Sequence, residues 1–160
     1  MKLTRRTALG LFGASAATAI LPGAGARAEG KVHEVQMLNK HPDSNERMVF
    51  HPDIVQAQPG DTIRFVAADP AHNSVTYDDM LPEGAEGWKT RMSQDAEVVV
   101  EAEGAYGYYC QPHKPLGMVG LILVGDAATN YEELKAAKLR GREQQRWQDI
   151  FARADKIVGA

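Results

Sequence analysis

The chain has one cysteine in 160 residues, Cys110. A single thiol excludes an internal disulfide, even for a chain whose address would permit one. Aromatic residues make up only 7% of the sequence. A membrane span needs about 20 consecutive apolar residues, and the best candidate, Ala8 to Leu21, is shorter and is stopped by Pro22. No internal repeat or low-complexity stretch is visible beyond residue 28. A basic excess is also missing. The first 28 residues hold Lys2, Arg5, Arg6 and Arg27 and no acid, so 14 bases and 21 acids remain, a net charge of −7 after residue 28 against −3 for the whole chain. That balance excludes a nucleic-acid binder.

The opening segment reads as an address rather than as structure. Lys2, Arg5 and Arg6 form a basic start, the Ala8–Leu21 run is weakly apolar, and Ala26-Arg27-Ala28 is an A-x-A cleavage signal. Residues 1–28 are expected to be a cleaved export signal. Thr4-Arg5-Arg6 with Leu9 downstream resembles a twin-arginine signal. The remaining 132 residues suit one domain with a real core.

Within that part, short alternating apolar runs recur between Gly and Pro turns. Strands are expected at 31–39, 48–50, 54–57, 62–67, 72–77, 88–92, 96–102, 104–110 and 120–124. This pattern predicts an all-β sandwich over 29–126. The period then changes, and 127–160 is expected to be a helical extension on the same domain. Thr129 with Glu132, or Asn130 with Glu133, reads as a capping box. Arg142 to Val158 reads as a second helix with Trp147, Ile150, Phe151, Ala154 and Val158 on one face, a stripe expected to pack on the sandwich.

The chemistry is concentrated in Cys110-Gln111-Pro112-His113-Lys114-Pro115-Leu116-Gly117-Met118. Thiolate, imidazole and thioether in one tight turn are the ligand set of a blue-copper electron-transfer site, once a second histidine joins them. With period two, Tyr106, Tyr108 and Cys110 share the inward face of their strand and Tyr109 points the other way. Pro112 and Pro115 stiffen the loop, and Gly117 lets it bend back. Zinc fits less well, because it has little use for a thioether. The fourth ligand must come from His33, His41, His51 or His72. His72 is favoured, because it follows a turn and begins a strand at a sandwich end; the other three remain open on spacing alone. Those three form no visible second cluster, which argues against a multi-copper oxidase. A copper-delivery protein is the alternative, but it would favour several Met or His ligands in flexible segments.

Over nearly all of 29–160 the sequence resembles the pseudoazurins, small blue-copper proteins of the cupredoxin superfamily. The resemblance rests on Glu34-Val35-Gln36-Met37-Leu38-Asn39-Lys40, Met48-Val49-Phe50, Pro59-Gly60-Asp61-Thr62 and Ala71-His72-Asn73. It continues through Pro82-Glu83-Gly84-Ala85-Glu86, Cys110-Gln111-Pro112-His113, Gly117-Met118-Val119-Gly120 and Val124-Gly125-Asp126, and through the two terminal helices. It implies an eight-stranded Greek-key β-sandwich with two C-terminal α-helices, and one copper ion held by His72, Cys110, His113 and Met118. Asn73 would hydrogen-bond around the cysteine sulfur, Met48 would stack on the exposed imidazole, and Pro112 would lie beside the copper histidine. The implied protein is a periplasmic electron carrier and not an enzyme, a monomer with no membrane anchor. A nitrite reductase is implied as acceptor and a cytochrome as donor. Docking would use an apolar patch of His113, Pro112, Pro115 and Leu116, ringed by lysines, of which Lys40 and Lys89 stand at matching positions. Pro70 and Tyr109 stand where lysines often occur in the family, with Lys114, Arg47 and Arg91 as compensating bases.

Overall fold

The structure, a computed structural model, describes residues 30–159. The export signal expected at 1–28 lies outside the described residues. Eight strands precede two helices: β1 (Val32–Lys40), β2 (Arg47–His51), β3 (Ile54–Ala57), β4 (Asp61–Val66), β5 (Val75–Thr76), β6 (Ala96–Val100), β7 (Gly104–Tyr109), β8 (Val119–Val124), α1 (Ala128–Lys135) and α2 (Gly141–Val158). One sheet has the order β2-β1-β4-β6 and the other β3-β8-β7-β5. The chain crosses between the sheets at the β2–β3, β3–β4, β4–β5, β5–β6 and β6–β7 connections, as in a Greek-key sandwich.

The two sheets differ in how their faces are covered. In β4 the burial alternates strictly, with Ile63 and Phe65 fully inward and Arg64 outward. That is a sheet with one wet face. In β8 all six residues, Val119–Val124, are buried. One face meets the inter-sheet core of Val35, Met37, Phe50, Phe65, Tyr106, Tyr108 and Ile122. The other meets the helices through Leu121, Leu123, Trp147, Ile150 and Ala154. The apolar stripe of α2 therefore covers the second sheet, as its sequence predicts. Gly107 on β7 makes the close approach possible: a Cβ there would lie 3.3 Å from the Trp147 ring and 2.8 Å from Met80. Among the described residues no helix is long and apolar enough to cross a membrane.

Two local expectations are corrected. Trp88–Met92 is not a strand; only Lys89 makes a β-bridge, with Val75. Trp88 is drawn away to the core instead, where its ring lies 5.9 Å from Phe65 and its indole N–H donates to Ser74 Oγ at 2.9 Å. The capping box is also absent. Ala127 is the first-turn cap position, with no side-chain cap. Asn130 is buried and spends its amide on β7, accepting from Ala105 N–H at 2.7 Å and donating to the Ala105 carbonyl at 2.9 Å. A tertiary demand for two buried backbone groups outweighs a local cap.

Candidate metal centre

The candidate ligands arrive on two connections at one end of the sandwich. His72 lies between β4 and β5, and its carbonyl accepts from Ser93 N–H at 2.8 Å. Cys110 follows the last residue of β7. From there the chain turns through His113, makes a single 3₁₀ turn at Lys114–Leu116, and returns at Met118 to β8. Cys110 N–H donates to the Met118 carbonyl at 2.9 Å, and Met118 N–H to the His113 carbonyl at 3.2 Å. Gly117 closes the turn at φ 82°, in the left-handed region that glycine enters at no steric cost. A second tie joins the two connections: Asn73 Oδ1 accepts from Gln111 N–H at 2.9 Å.

The donor atoms converge. Cys110 Sγ is 3.4 Å from His113 Nδ1 and 3.7 Å from His72 Nδ1, and the two Nδ1 atoms are 3.1 Å apart. His72 and Cys110 are fully buried, and His113 is half-buried. Asn39 Oδ1, which can only accept, lies 3.0 Å from His72 Nε2. Nε2 therefore carries the ring proton, and Nδ1 turns its lone pair toward the other two donors. With the three donor atoms this close, a bound cation would draw on all of them at once. Two imidazole nitrogens and a thiol sulfur grouped this closely would hold one soft metal ion such as copper. Met118 is fully buried in the same core cluster as Cys110, and its backbone carbonyl accepts from Cys110 N–H.

The electrostatics point the same way. Burial, then the neighbouring His113, holds His72 below the ordinary histidine range, with Asp69 opposing. Burial also lowers His113. Both imidazoles are thus neutral, as metal ligands must be. Burial raises the Cys110 thiol, while the Asn73 and His113 backbone N–H groups pull it down. A thiolate here needs a cation beside it.

The remaining expected residues fall into two groups. Pro112, Pro115 and Leu116 are exposed around half-buried His113, and Lys40 and Lys89 are exposed. Met48, at φ 54°, walls a cavity of about 530 Å³ with Leu116, Arg47, Arg142 and Arg146. Lys114 is only half-exposed and is engaged by aromatic rings. His33 is taken by Asp61, at 2.8 Å. His41 and His51 pair with each other, ring centroids 4.8 Å apart; none of these three reaches the centre. Asn39 is the functional residue that sequence reasoning passed over. It lies 33 positions from His72, so no local spacing could signal it.

The family model for copper binding proteins of the plastocyanin/azurin family matches residues 35–125. A pseudoazurin of Paracoccus pantotrophus is 41% identical over 132 residues, covering 82% of this chain and 90% of that one. A pseudoazurin of Methylorubrum extorquens is 42% identical over 118 residues, 74% of this chain and 78% of that one. Among solved structures, pseudoazurin from Methylobacterium extorquens AM1 superposes with a TM-score of 0.73 at 40% identity, covering 78% of this chain and 99% of that one. Native pseudoazurin from Hyphomicrobium denitrificans gives 0.72 at 35% identity, covering 76% and 97%. The donor set fits one copper ion, and the match runs through both sheets and the site. The chain therefore belongs to the pseudoazurins, blue-copper electron carriers of the plastocyanin/azurin family rather than enzymes.

Proposed function

We propose that this chain is a periplasmic one-electron carrier whose copper is held by His72, Cys110, His113 and Met118. The observation that carries the ligand assignment is the mutual approach of Cys110 Sγ, His72 Nδ1 and His113 Nδ1. The bound copper would supply a one-electron couple, Cu(II)/Cu(I). The protein's part is to keep the donors where they are. Asn39 fixes the His72 tautomer, Asn73 ties the two ligand connections together, and the core around Tyr108 and Phe50 excludes water.

His113 is the ligand nearest to solvent, so it is the edge through which electrons enter and leave. Pro112, Pro115 and Leu116 form the apolar rim of that edge, with Lys40 and Lys89 as outlying charges. The acceptor is a nitrite reductase or another periplasmic redox enzyme, and the donor a cytochrome. Residues 1–28 provide the export address, 29–126 the sandwich and 127–160 the helical cover. A delivery role is disfavoured because His72, Cys110 and Met118 are sealed from solvent, where a receiving protein could not exchange ligands with them.

Copper-loaded protein should bind one ion per chain and show intense thiolate-to-copper absorption in the visible. Cys110→Ser should abolish that colour. A colourless copper-loaded protein, or a Cys110→Ser variant that keeps the colour, overturns the reading. Reduced protein should pass its electron to a nitrite reductase in stopped-flow mixing; transfer to none of a panel of periplasmic acceptors overturns the assignment of partner.

A further inference from the structure

The ligand loop is closed largely on itself. The backbone hydrogen bonds of His113, Leu116 and Gly117 close within 110–118: His113 N–H to the Cys110 carbonyl at 3.1 Å, Leu116 N–H to His113 at 2.9 Å, and Gly117 N–H to Lys114 at 3.0 Å. The turn joins β7 to β8, and its outer side meets α2.

That contact is built at two points. The Lys114 ammonium sits 4.4 Å from the centroids of both the Tyr77 and the Tyr109 rings. The two rings are themselves 4.7 Å apart and tilted by 56°, so they form a cleft for the cation. Glu143, in the first turn of α2, meets the same ammonium at 3.6 Å with its side chain only 13% exposed. Tyr77 Oη donates to the same Glu143 oxygen, and Trp147 Nε1 donates to Tyr77 Oη at 3.3 Å. Trp147 is fully buried, so the chain of contacts ends on a fixed point. The second point is Gly117. A Cβ there would lie 2.9 Å from the Arg142 carbonyl, so the helix backbone presses directly on the loop. A lysine serving only as a surface charge would be free to extend into water. This one is half-exposed and lies against two π faces and a largely buried carboxylate, where a cation–π contact is worth more than at an open surface.

We propose that Lys114 and Glu143 are positioning residues, a latch that fastens the ligand loop to the first turn of α2 and so sets where His113 and Met118 stand. This rests on the assignment of 110–118 as the ligand loop. A carrier needs ligands that do not relax when the oxidation state changes, and the latch adds an anchor on α2 to the loop's own hydrogen bonds and prolines. It also means that the base beside His113 faces inward, toward its own helix, rather than toward a partner.

The test uses Lys114→Met, Glu143→Gln and Lys114→Arg in the full chain. In metal-free protein, hydrogen exchange of the Leu116, Gly117 and Met118 amides should quicken about tenfold in Lys114→Met and in Glu143→Gln. The Val35 and Phe65 amides should not change, and Lys114→Arg should stay near the parent. In copper-loaded protein, the same two variants should alter the band pattern of the thiolate-to-copper absorption, with Lys114→Arg restoring it. Unchanged loop exchange, a uniform rise across all strands, or faster loop exchange with an unaltered spectrum would each overturn the latch. Absence of colour in the parent protein would defeat the copper assignment instead, and the metal-free exchange would still decide the latch.

Discussion

At the scale of single residues, the centre depends on groups that bind nothing themselves. Asn39 is the clearest. Its Oδ1 holds the His72 ring by Nε2, and its own N–H donates to Asp69 Oδ2 at 2.7 Å. The carboxylate thus fixes the strand end, and the strand end fixes the imidazole. Asn39→Leu keeps the volume and removes the acceptor, leaving the buried Nε2–H unpaired. Copper affinity should fall about 10- to 100-fold, with the visible absorption retained at saturating copper. Competition with a colorimetric chelator measures the change; unaltered affinity would show that packing alone orients His72. The ligands themselves were legible because Cys110, His113 and Met118 fall within nine residues. Asn39 was not, because its role exists only once β1 lies beside the connection that carries His72.

At the scale of elements, two junctions hold the frame that carries the loop. The first is the start of β4. Asp61 is buried, and its carboxylate accepts from Lys31 N–H at 2.8 Å, Gln58 N–H at 2.9 Å and His33 Nε2 at 2.8 Å. It joins the start of β1 to the turn before β4. The Gln58 backbone N–H, then His33, holds its carboxyl below the usual range, against the opposing effect of burial. A lowered folded pKa contributes stability above the unfolded value and loses it as pH falls through the folded one. The contribution should therefore be full at neutral pH and fade below about pH 4. Asp61→Asn should cost about 2 kcal/mol at pH 7, and the gap to the parent should narrow in acid. Denaturant titrations at both pH values measure it; a gap that widens in acid would contradict the sign.

The second junction is α2 on the β7–β8 face. Trp147 stacks on Phe151 with centroids 5.1 Å apart and fills the space that Gly107 leaves. Arg153 makes paired contacts of 2.9 and 2.6 Å with Asp53, and Arg146 reaches Glu46 at 2.7 Å. These exposed ion pairs fix direction more than they stabilise; the buried indole carries the energy. Trp147→Ala should cost about 3–5 kcal/mol and lower the thermal midpoint in calorimetry. A loss under 1 kcal/mol would show that the helix is not integral to the domain. The apolar stripe of α2 was plain in its 3.6-residue period. The capping box at Asn130 was a false signal, because a local pattern cannot register that β7 needs those same amide atoms.

At the scale of the whole molecule, charge is unevenly spread. After residue 28 the net charge is −7, yet the ligand end gathers bases. Lys40 ends β1 next to Asn39, and Arg47 pairs with Lys40 across β1 and β2. Lys89 bridges to Val75, which itself pairs with Tyr109 beside Cys110. Arg47 and Arg142 line the cavity next to Leu116. An acidic body with a basic active end orients an approaching acidic partner before contact. Electron transfer to such a partner should slow about tenfold as ionic strength rises from about 0.01 to 0.15 M, where the Debye length shrinks from about 30 to 8 Å. A flat response in stopped-flow would leave docking to the apolar rim alone.

The sequence by itself determined the ligand types, the all-β class with its helical tail, and the stripe by which α2 is buried, because each is written in local spacing or period. The tertiary structure decided how close the favoured His72 comes to Cys110 and His113, how its ring is turned, and what stands behind the loop. His72 and Asn39 meet across 33 positions, and Lys114 meets Glu143 only after α2 has crossed the second sheet. Those contacts depend on how strands are ordered and helices laid down, which no local pattern encodes.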